Sequence, residues 1–405
     1  IYEKGAELIN MLHKLVGPKA YKETLDLYFE RHDGQACTIE DWIKVFEDNN
    51  EIDLKQFKLW YEQAGTPVVT VQERFKNSQY TLKFKQTLNT KTDEPMLIPI
   101  SVGLLNKKGE EVLETNLLTL SEREQEFTFN NIKTKPIPSI LRDFSAPIII
   151  NYKTTDEQNA FLLQYDTNEF NKWEAGQKLA RSSIIQTILE GKPIDGLFAN
   201  SIKKVISNKG LEPGYKAVLL KLPTQDSLTD DLIKLGETPD PLEIHKALIK
   251  TEIGCAEILK DDFVRLFKEL KTMNNQSSDM AASGKRDLHS ALLKLNTYND
   301  GGELAFFRYN QAKSMTDLQS AFISLMTTDF RKEIISKFYD TWKHDKLVID
   351  KWFSLQSINC DPQYALESAI DLSMHQDFNY KNPNRFRSLI GSFCAGNPAG
   401  FHVIS

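Results

Sequence analysis

Residues 1–17 read IYEKGAELINMLHKLVG, and this stretch predicts the first element of the fold. Its apolar residues recur at helical spacing and form one face of an amphipathic helix: Leu8, Ile9, Leu12, Leu15 and Val16. Gly17-Pro18 ends that helix, because glycine favours a helix C-terminus and proline cannot continue one. Tyr2 stands at the start, where its phenol hydroxyl can donate one hydrogen bond and accept another. Taken alone, such a tyrosine packs its ring and directs its hydroxyl to water.

The sequence up to residue 64 has the pattern of four short amphipathic helices. Pro18 suits the first turn of the second helix. Thr38 and Asp41 have the spacing of a capping box at the start of the third. Residues 53–56 are expected to cap the fourth. Short connections between amphipathic helices predict a compact helical subdomain.

Between residues 65 and 154 the pattern changes to the alternation of half-buried strands. Tyr80, Leu82 and Phe84, for example, alternate with polar residues. Turn signals separate the strand-like stretches, which are residues 68–71, 80–84, 98–104, 127–129 and 147–152. Several short strands in so short a segment predict a small β-sandwich.

The remainder, residues 155–405, carries helical patterns punctuated by prolines and predicts a curved, solenoid-like helical array. The predicted fold class is therefore multidomain and mainly α. It comprises the end of a helical domain at 1–64, the β-sandwich at 65–154 and a large C-terminal α-helical array at 155–405. The sequence starts without Met, inside a motif, and ends without a closing element. We therefore expect a fragment of a longer protein, with an incomplete helical array.

Composition excludes several classes of function. The chain has 405 residues, 26% of them charged, and a net charge of −6, which argues against nucleic acid as a partner. No apolar run approaches the length of a membrane span, so we expect no membrane partner. The four cysteines are far apart and form no CxxC pair, which indicates reduced thiols in a cytoplasmic protein. We expect a monomer.

Several stretches, in the same order, resemble the zinc aminopeptidases of the bacterial aminopeptidase N type. They are YEKGAE at 2–7, YFERHDG at 28–34, WYEQAGTP at 60–67, NEFNKW at 168–173 and NPNRFRSLIG at 382–391. The resemblance covers the whole chain. It implies that the chain is the C-terminal portion of such an enzyme. Residues 1–64 would then be the C-terminal helical part of a thermolysin-like catalytic domain. In that family the tyrosine of YEKGA points its hydroxyl at the zinc-bound tetrahedral intermediate, so the resemblance implies that Tyr2 is catalytic.

The zinc motif of that family is missing from the sequence. It requires HExxH on a helix, where two histidines one turn apart bind the metal and the glutamate activates water. No two of the seven histidines are four residues apart, and none belongs to HExxH. We therefore assign no metal ligand to this chain. The resemblance implies that Zn²⁺ is bound by residues outside the chain, before the tyrosine motif.

Two arginines stand two apart in the stretch at 382–391, Arg385 and Arg387. An arginine that faces a closed cavity can bind a carboxylate through two hydrogen bonds. In the family the helical domain encloses the chamber of the active site, and the resemblance makes Arg387 a candidate for binding the far end of the peptide substrate. The alternative is an arginine that binds helix C-terminal carbonyls or forms a surface ion pair.

The functional hypothesis is that the chain is part of a zinc metallo-aminopeptidase that removes N-terminal amino acids from peptides. In this hypothesis Tyr2 stabilises the oxyanion. The fragment lacks the zinc motif, so we expect it to be inactive alone. The alternative is a non-catalytic helical-array module that binds peptides or serves as a scaffold. An intact HExxH upstream would favour the enzyme, and a degraded one would favour the module.

Overall fold

The computed structural model describes residues 2–88, 94–194, 196–270 and 277–403. The chain divides into two compact units, Ile1–Ala175 and Gly176–Ser405. The first unit contains helices and two β-sheets, and the second is helical throughout its described residues. The predicted fold class, mainly α with a small β-sandwich, is confirmed.

Four helices open the first unit, as the apolar periodicity predicts. They are α1 (Tyr2–Val16), α2 (Pro18–His32), α3 (Ile39–Asn50) and α4 (Lys55–Glu62). The capping box of α3 is confirmed, because the Thr38 side chain accepts from the Asp41 backbone N–H and the Asp41 side chain accepts from that of Thr38. The predicted cap of α4 is displaced by one residue. Leu54 is the N-cap, and Asp53 instead accepts a 2.9 Å hydrogen bond from the Lys55 backbone N–H.

Seven strands follow within the described residues of the first unit. They are β1 (Val68–Lys76), β2 (Gln79–Thr87), β3 (Ile98–Leu105), β4 (Glu111–Leu120), β5 (Glu124–Phe129), β6 (Ile137–Ile140) and β7 (Ile149–Asn151). One sheet has the order β5-β2-β1-β7 and the other has the order β4-β3-β6. Strands β1 and β7 are parallel, whereas the other neighbouring pairs are antiparallel.

The sequence pattern missed strands β4 and β6. Most residues of β4 are exposed or half-buried, and its sequence does not alternate between apolar and polar residues. Strand β6 has only four residues and contains Pro138. Both pair with β3, whose eight residues are all buried. Pairing with this central strand, and not their own composition, makes them strands.

Helices α1–α4 share one hydrophobic core with the sandwich. Leu12 and Phe57 belong to the same buried cluster as Phe84 and Ile100 of the strands. The indole N–H of Trp60 also donates a 2.9 Å hydrogen bond to the Leu97 carbonyl. The four predicted helices therefore do not enclose a hydrophobic core of their own. Their apolar side chains share one core with the sheets.

The described elements after β7 are helical, and the first of them still belongs to the first unit. Helices α5 (Asp156–Tyr165) and α6 (Glu169–Glu190) follow the sandwich, and α6 contains the boundary between the two units. The next helices are α7 (Gly196–Ser207), α8 (Pro213–Leu219), α9 (Gln225–Lys234), α10 (Pro241–Leu259), α11 (Phe263–Leu270), α12 (Met280–Asp300), α13 (Glu303–Gln311) and α14 (Met315–Leu325).

The last third of the second unit continues the same pattern. Its helices are α15 (Arg331–Trp342), α16 (Lys346–Ile358), α17 (Pro362–Ser373), α18 (Pro383–Phe386), α19 (Ser392–Gly396) and α20 (Pro398–Phe401). A turn of π-helix, Arg387–Gly391, joins α18 to α19. The buried core that these helices share with α14 includes the aromatic residues Phe322, Phe338 and Phe353. Within the described residues, every helix is either too short or too polar to span a lipid bilayer.

Candidate functional site

Tyr2 is the first residue of α1, and its side chain is 91% exposed. Its hydroxyl makes no hydrogen bond to another described residue, so it is available to donate. Helix α1 is nevertheless held firmly, because Leu8, Met11 and Leu12 on its apolar face are buried in the core of the first unit. The tyrosine is thus an unpartnered donor at the end of a well-anchored helix.

Lys4 joins two of the stretches that carry the family resemblance. Its ammonium donates a 2.7 Å hydrogen bond to the Gly65 carbonyl, 61 residues away in sequence. The same ammonium lies 5.7 Å from the centroid of the Trp60 ring, a cation–π distance. Lys4 therefore fixes the first turn of α1, which bears Tyr2, to the segment after α4. Nothing in the local sequence signals this contact.

Arg385 has a structural role that accounts for its burial. It is 6% exposed, and its Nε donates a 2.5 Å hydrogen bond to the Asp350 carboxylate. Its two other nitrogens donate to the carbonyls of Asp377 and Lys346. The guanidinium thus joins α18 to α16 and to the segment after α17, and each of its three nitrogens already donates inside the fold.

Arg387 differs from Arg385 in every one of these respects. It is exposed and begins the π-helical turn Arg387–Gly391. Its guanidinium forms neither a hydrogen bond nor an ion pair with another described residue. Single π-helical turns are frequent at functional sites.

The described residues do not fit a zinc site. They contain no group of three or more His, Cys, Asp or Glu side chains that could bind a metal ion. The histidines of α1 and α2 pack against aromatic rings, since the His13 ring lies 5.0 Å from that of Tyr21 and the His32 ring lies 5.4 Å from that of Tyr28. The four cysteines are free thiols. We therefore assign no chemical step to a metal held by the described residues.

Comparison with protein families gives three consecutive matches. A family model described as a domain of unknown function (DUF3458_C) with ARM repeats matches residues 156–405. The chain belongs to this family. The model of the DUF3458 domain, described as an Ig-like fold, matches residues 65–153, and that of the peptidase family M1 domain matches residues 1–61.

Relatives of this DUF3458_C chain are aminopeptidases. The chain is 32% identical to aminopeptidase N of Escherichia coli (strain K12) and 35% identical to aminopeptidase N of Caulobacter vibrioides. These alignments cover 100% and 99% of the chain but 48% of each relative, so it spans about half their length. The predicted resemblance to the C-terminal portion of an aminopeptidase N is confirmed.

A solved structure supports the fold of the DUF3458_C chain. It is the crystal structure of Legionella pneumophila aminopeptidase A in complex with aspartic acid, with a TM-score of 0.86 and 30% sequence identity. The match covers 99% of this chain and 48% of that one.

Proposed function

We propose that this chain is part of a zinc-dependent aminopeptidase that hydrolyses N-terminal amino acids from peptides. The observation that carries the proposal is Tyr2, an exposed and unpartnered phenol on an anchored helix, in a chain similar to aminopeptidase N over its whole length. Peptides are the proposed substrates, and Zn²⁺ is the proposed metal, bound by residues outside this chain.

Tyr2 acts on the charge that develops during peptide hydrolysis. Attack of water on the scissile carbonyl makes that carbon tetrahedral and places negative charge on its oxygen. The Tyr2 hydroxyl donates a hydrogen bond to this oxygen and lowers the energy of the transition state more than that of the substrate. The Lys4–Gly65 hydrogen bond contributes by fixing the helix turn that carries the phenol.

Arg387 is the proposed residue for binding the far end of the peptide. Its free guanidinium can form two parallel hydrogen bonds to a C-terminal carboxylate. The division into domains at 1–64, 65–154 and 155–405, a monomeric state and a cytoplasmic location complete the proposal.

The test is Tyr2→Phe in the full-length protein, with zinc content and hydrolysis of chromogenic amino-acid amides measured on the same samples. The change removes only the hydroxyl, so we expect kcat to fall by roughly 10²–10³ with KM much less affected, as for the loss of one oxyanion donor. Tyr364→Phe is the matched control, because Tyr364 is also exposed, and its turnover should be normal. Near-normal turnover of Tyr2→Phe would refute its role.

The same samples distinguish the alternative function. A full-length protein that binds no zinc and hydrolyses no peptide, yet retains the fold, would be a peptide-binding or scaffold module. One zinc per chain with activity that depends on Tyr2 would exclude that alternative.

A further inference from the structure

The second unit contains a cavity that the proposed reaction does not use. It has a volume of about 420 Å³ and lies among α7, α8, α10 and α12 and the segment after α8. Pockets for small molecules typically have volumes of about 300–1,000 Å³, mostly apolar walls and a few placed polar groups. This cavity has the size and the lining of such a pocket.

The interior of the cavity is lined by apolar side chains that are held in place by tight packing. Phe198, Ile202 and Leu295 line it, and each is at most 7% exposed. Cys255 also lines it, and burial raises the pKa of its thiol to about 12, so the thiol stays neutral. These side chains form a surface suited to an aliphatic or aromatic group.

One wall of the cavity is set by an unusually close helix crossing. Helices α8 and α12 meet at Gly214 and Gly284, where a Cβ on Gly284 would lie 2.8 Å from the Gly214 backbone nitrogen. Only glycine permits this approach. The distance between α8 and α12 at this crossing is therefore fixed by backbone contact and not by flexible side chains.

The rim of the cavity carries one free charge of each sign. Asp287 of α12 and Lys221, just after α8, both line it and are exposed. Neither side chain forms a hydrogen bond or an ion pair with another described residue. The second lysine of the rim, Lys294, is already occupied, because its ammonium lies 2.5 Å from the Glu252 carboxylate.

We propose that this cavity binds a free amino acid with an apolar side chain. Asp287 accepts hydrogen bonds from the α-ammonium group, and Lys221 donates to the α-carboxylate. The apolar side chain enters the interior formed by Phe198, Ile202 and Leu295.

Charge balance favours this ligand over others. A phosphate or a nucleotide needs several unpaired cationic groups, whereas the rim offers one, together with a carboxylate that repels anions. A sugar needs unsatisfied polar groups in the interior, and here they are scarce. A zwitterion with an apolar side chain matches both free charges and the apolar walls.

A second cavity in the same unit shows the contrast. It has a volume of about 330 Å³ and is lined by many hydroxyl groups. Those of Thr297, Ser324 and Thr328 already donate to backbone carbonyls of their own helices or turn. Its polar lining is therefore largely satisfied, and it offers less to a ligand.

Free amino acids are the product of the proposed reaction. Occupancy of this cavity would therefore make the enzyme sensitive to the concentration of its product. That link alone rests on the proposed function. The binding itself depends only on the residues of the second unit.

The experiment is calorimetric titration of the full-length protein with L-leucine, L-leucinamide and N-acetyl-L-leucine. Leucinamide lacks the carboxylate and N-acetyl-leucine lacks the ammonium, so the site requires each to bind about tenfold more weakly than leucine, the usual effect of losing a charge-assisted hydrogen bond. Equal binding of all three would overturn the proposal.

Variants locate the binding and separate it from any leucine bound elsewhere. Asp287→Asn and Lys221→Met should each weaken leucine binding about tenfold, and Ala291→Leu should abolish it by filling the cavity that Ala291 lines. Asp230→Asn, an exposed aspartate outside the cavity, is the matched control and should bind normally. Unchanged binding in Asp287→Asn and Lys221→Met would also overturn the proposal.

The two proposals fail independently. Tyr2→Phe should leave this binding intact, and Asp287→Asn should leave turnover without added leucine intact. Normal turnover of Tyr2→Phe would refute the proposed function alone, and normal leucine binding by Asp287→Asn would refute the binding site alone.

Discussion

Two arginines of one short motif have different environments, although the sequence gives them equal status. Arg385 is buried and donates to one carboxylate and two backbone carbonyls. Arg387 is exposed and has no partner among the described residues. Because the two are separated by two positions on a helical segment, they point in different directions. The buried one stabilises the fold, and the exposed one is free to bind.

Replacing Arg387 should affect substrates according to their length. Arg387→Ala in the full-length protein should raise KM about tenfold for peptides of several residues, through loss of a charge-assisted hydrogen bond to the C-terminal carboxylate. It should leave KM for chromogenic amino-acid amides nearly unchanged, since these have no distant carboxylate. Steady-state kinetics on both substrate classes is the measurement, and equal effects on both would contradict the role.

Arg385→Ala provides the comparison for that experiment. It leaves the Asp350 carboxylate, whose side chain is 20% exposed, without its partner. Removing one member of such a pair typically costs about 3 kcal/mol, so the melting temperature should fall clearly. Arg387→Ala should not lower it.

Among the structural elements, strand β4 is connected to the segment between α5 and α6 by one buried arginine. Arg142 is 1% exposed, and its guanidinium donates to Glu111, to Thr115 and to the Asp166 carboxylate. Its Nε donates a 3.0 Å hydrogen bond to the Ser139 hydroxyl. The backbone on both sides is strained, since Leu141, Asp143 and Phe144 all have positive φ.

The guanidinium of Arg142 occupies space that only glycine leaves open on β3. A Cβ on Gly103 would overlap the guanidinium carbon and both of its terminal nitrogens. This explains why a central strand contains a glycine, which otherwise weakens strands. The buried charge of Arg142, the strained turn that carries it and Gly103 of β3 form one arrangement. Neither the turn nor β3 could adopt it alone.

Replacing Arg142 should destabilise the first unit strongly. Arg142→Met leaves Asp166, whose side chain is fully buried, as an uncompensated charge, and we expect a loss of about 3–5 kcal/mol. Equilibrium unfolding in urea measures this loss. Arg74→Met, on the exposed part of β1, is the control and should change stability by no more than about 0.5 kcal/mol.

A double-mutant cycle tests the link between the arginine and the glycine. Gly103→Ala should be costly in the original chain but much milder beside Arg142→Met, with a coupling free energy of at least about 1 kcal/mol. Additive costs would show that the glycine is needed for another reason.

At the scale of the whole molecule, one buried histidine makes stability depend on pH. His289 of α12 is 7% exposed, and its Nε2 has no hydrogen-bond partner among the described atoms. Burial, with a smaller contribution from the Arg308 guanidinium, lowers the pKa of His289 to about 4. The folded chain therefore keeps this imidazole neutral at pH values where the unfolded chain protonates it.

The sign of the effect follows from proton binding. Above about pH 6.5 both states are neutral at this position and it contributes nothing. Between about pH 6.5 and pH 4 the unfolded state binds the proton, so the free energy of unfolding falls as pH falls. The full loss, on the order of 3 kcal/mol, is reached below pH 4.

Replacing His289 should flatten that pH dependence. His289→Gln should lose less stability than the original chain between pH 7.5 and pH 5, as measured by urea unfolding at both values. His344→Gln, at an exposed position, is the matched control and should behave as the original does. An unchanged slope in His289→Gln would assign the acid sensitivity to other groups.

The sequence alone determined those features of the structure that depend on residues close to one another in the chain. Apolar spacing predicted α1, and the Thr38–Asp41 spacing predicted the start of α3. Motifs in order predicted the family. These features are readable because a helix turn, a cap or a strand face involves residues within a few positions of one another.

Only the tertiary structure decided which distant residues meet. It brought Lys4 to Gly65, buried Arg142 against Gly103, made a strand of the largely exposed β4, and divided two similar arginines into a buried and a free one. It also formed the cavity between Lys221 and Asp287. Such contacts depend on sheet register and on helix crossings, which are set by packing of the whole core and leave no local periodicity in the sequence.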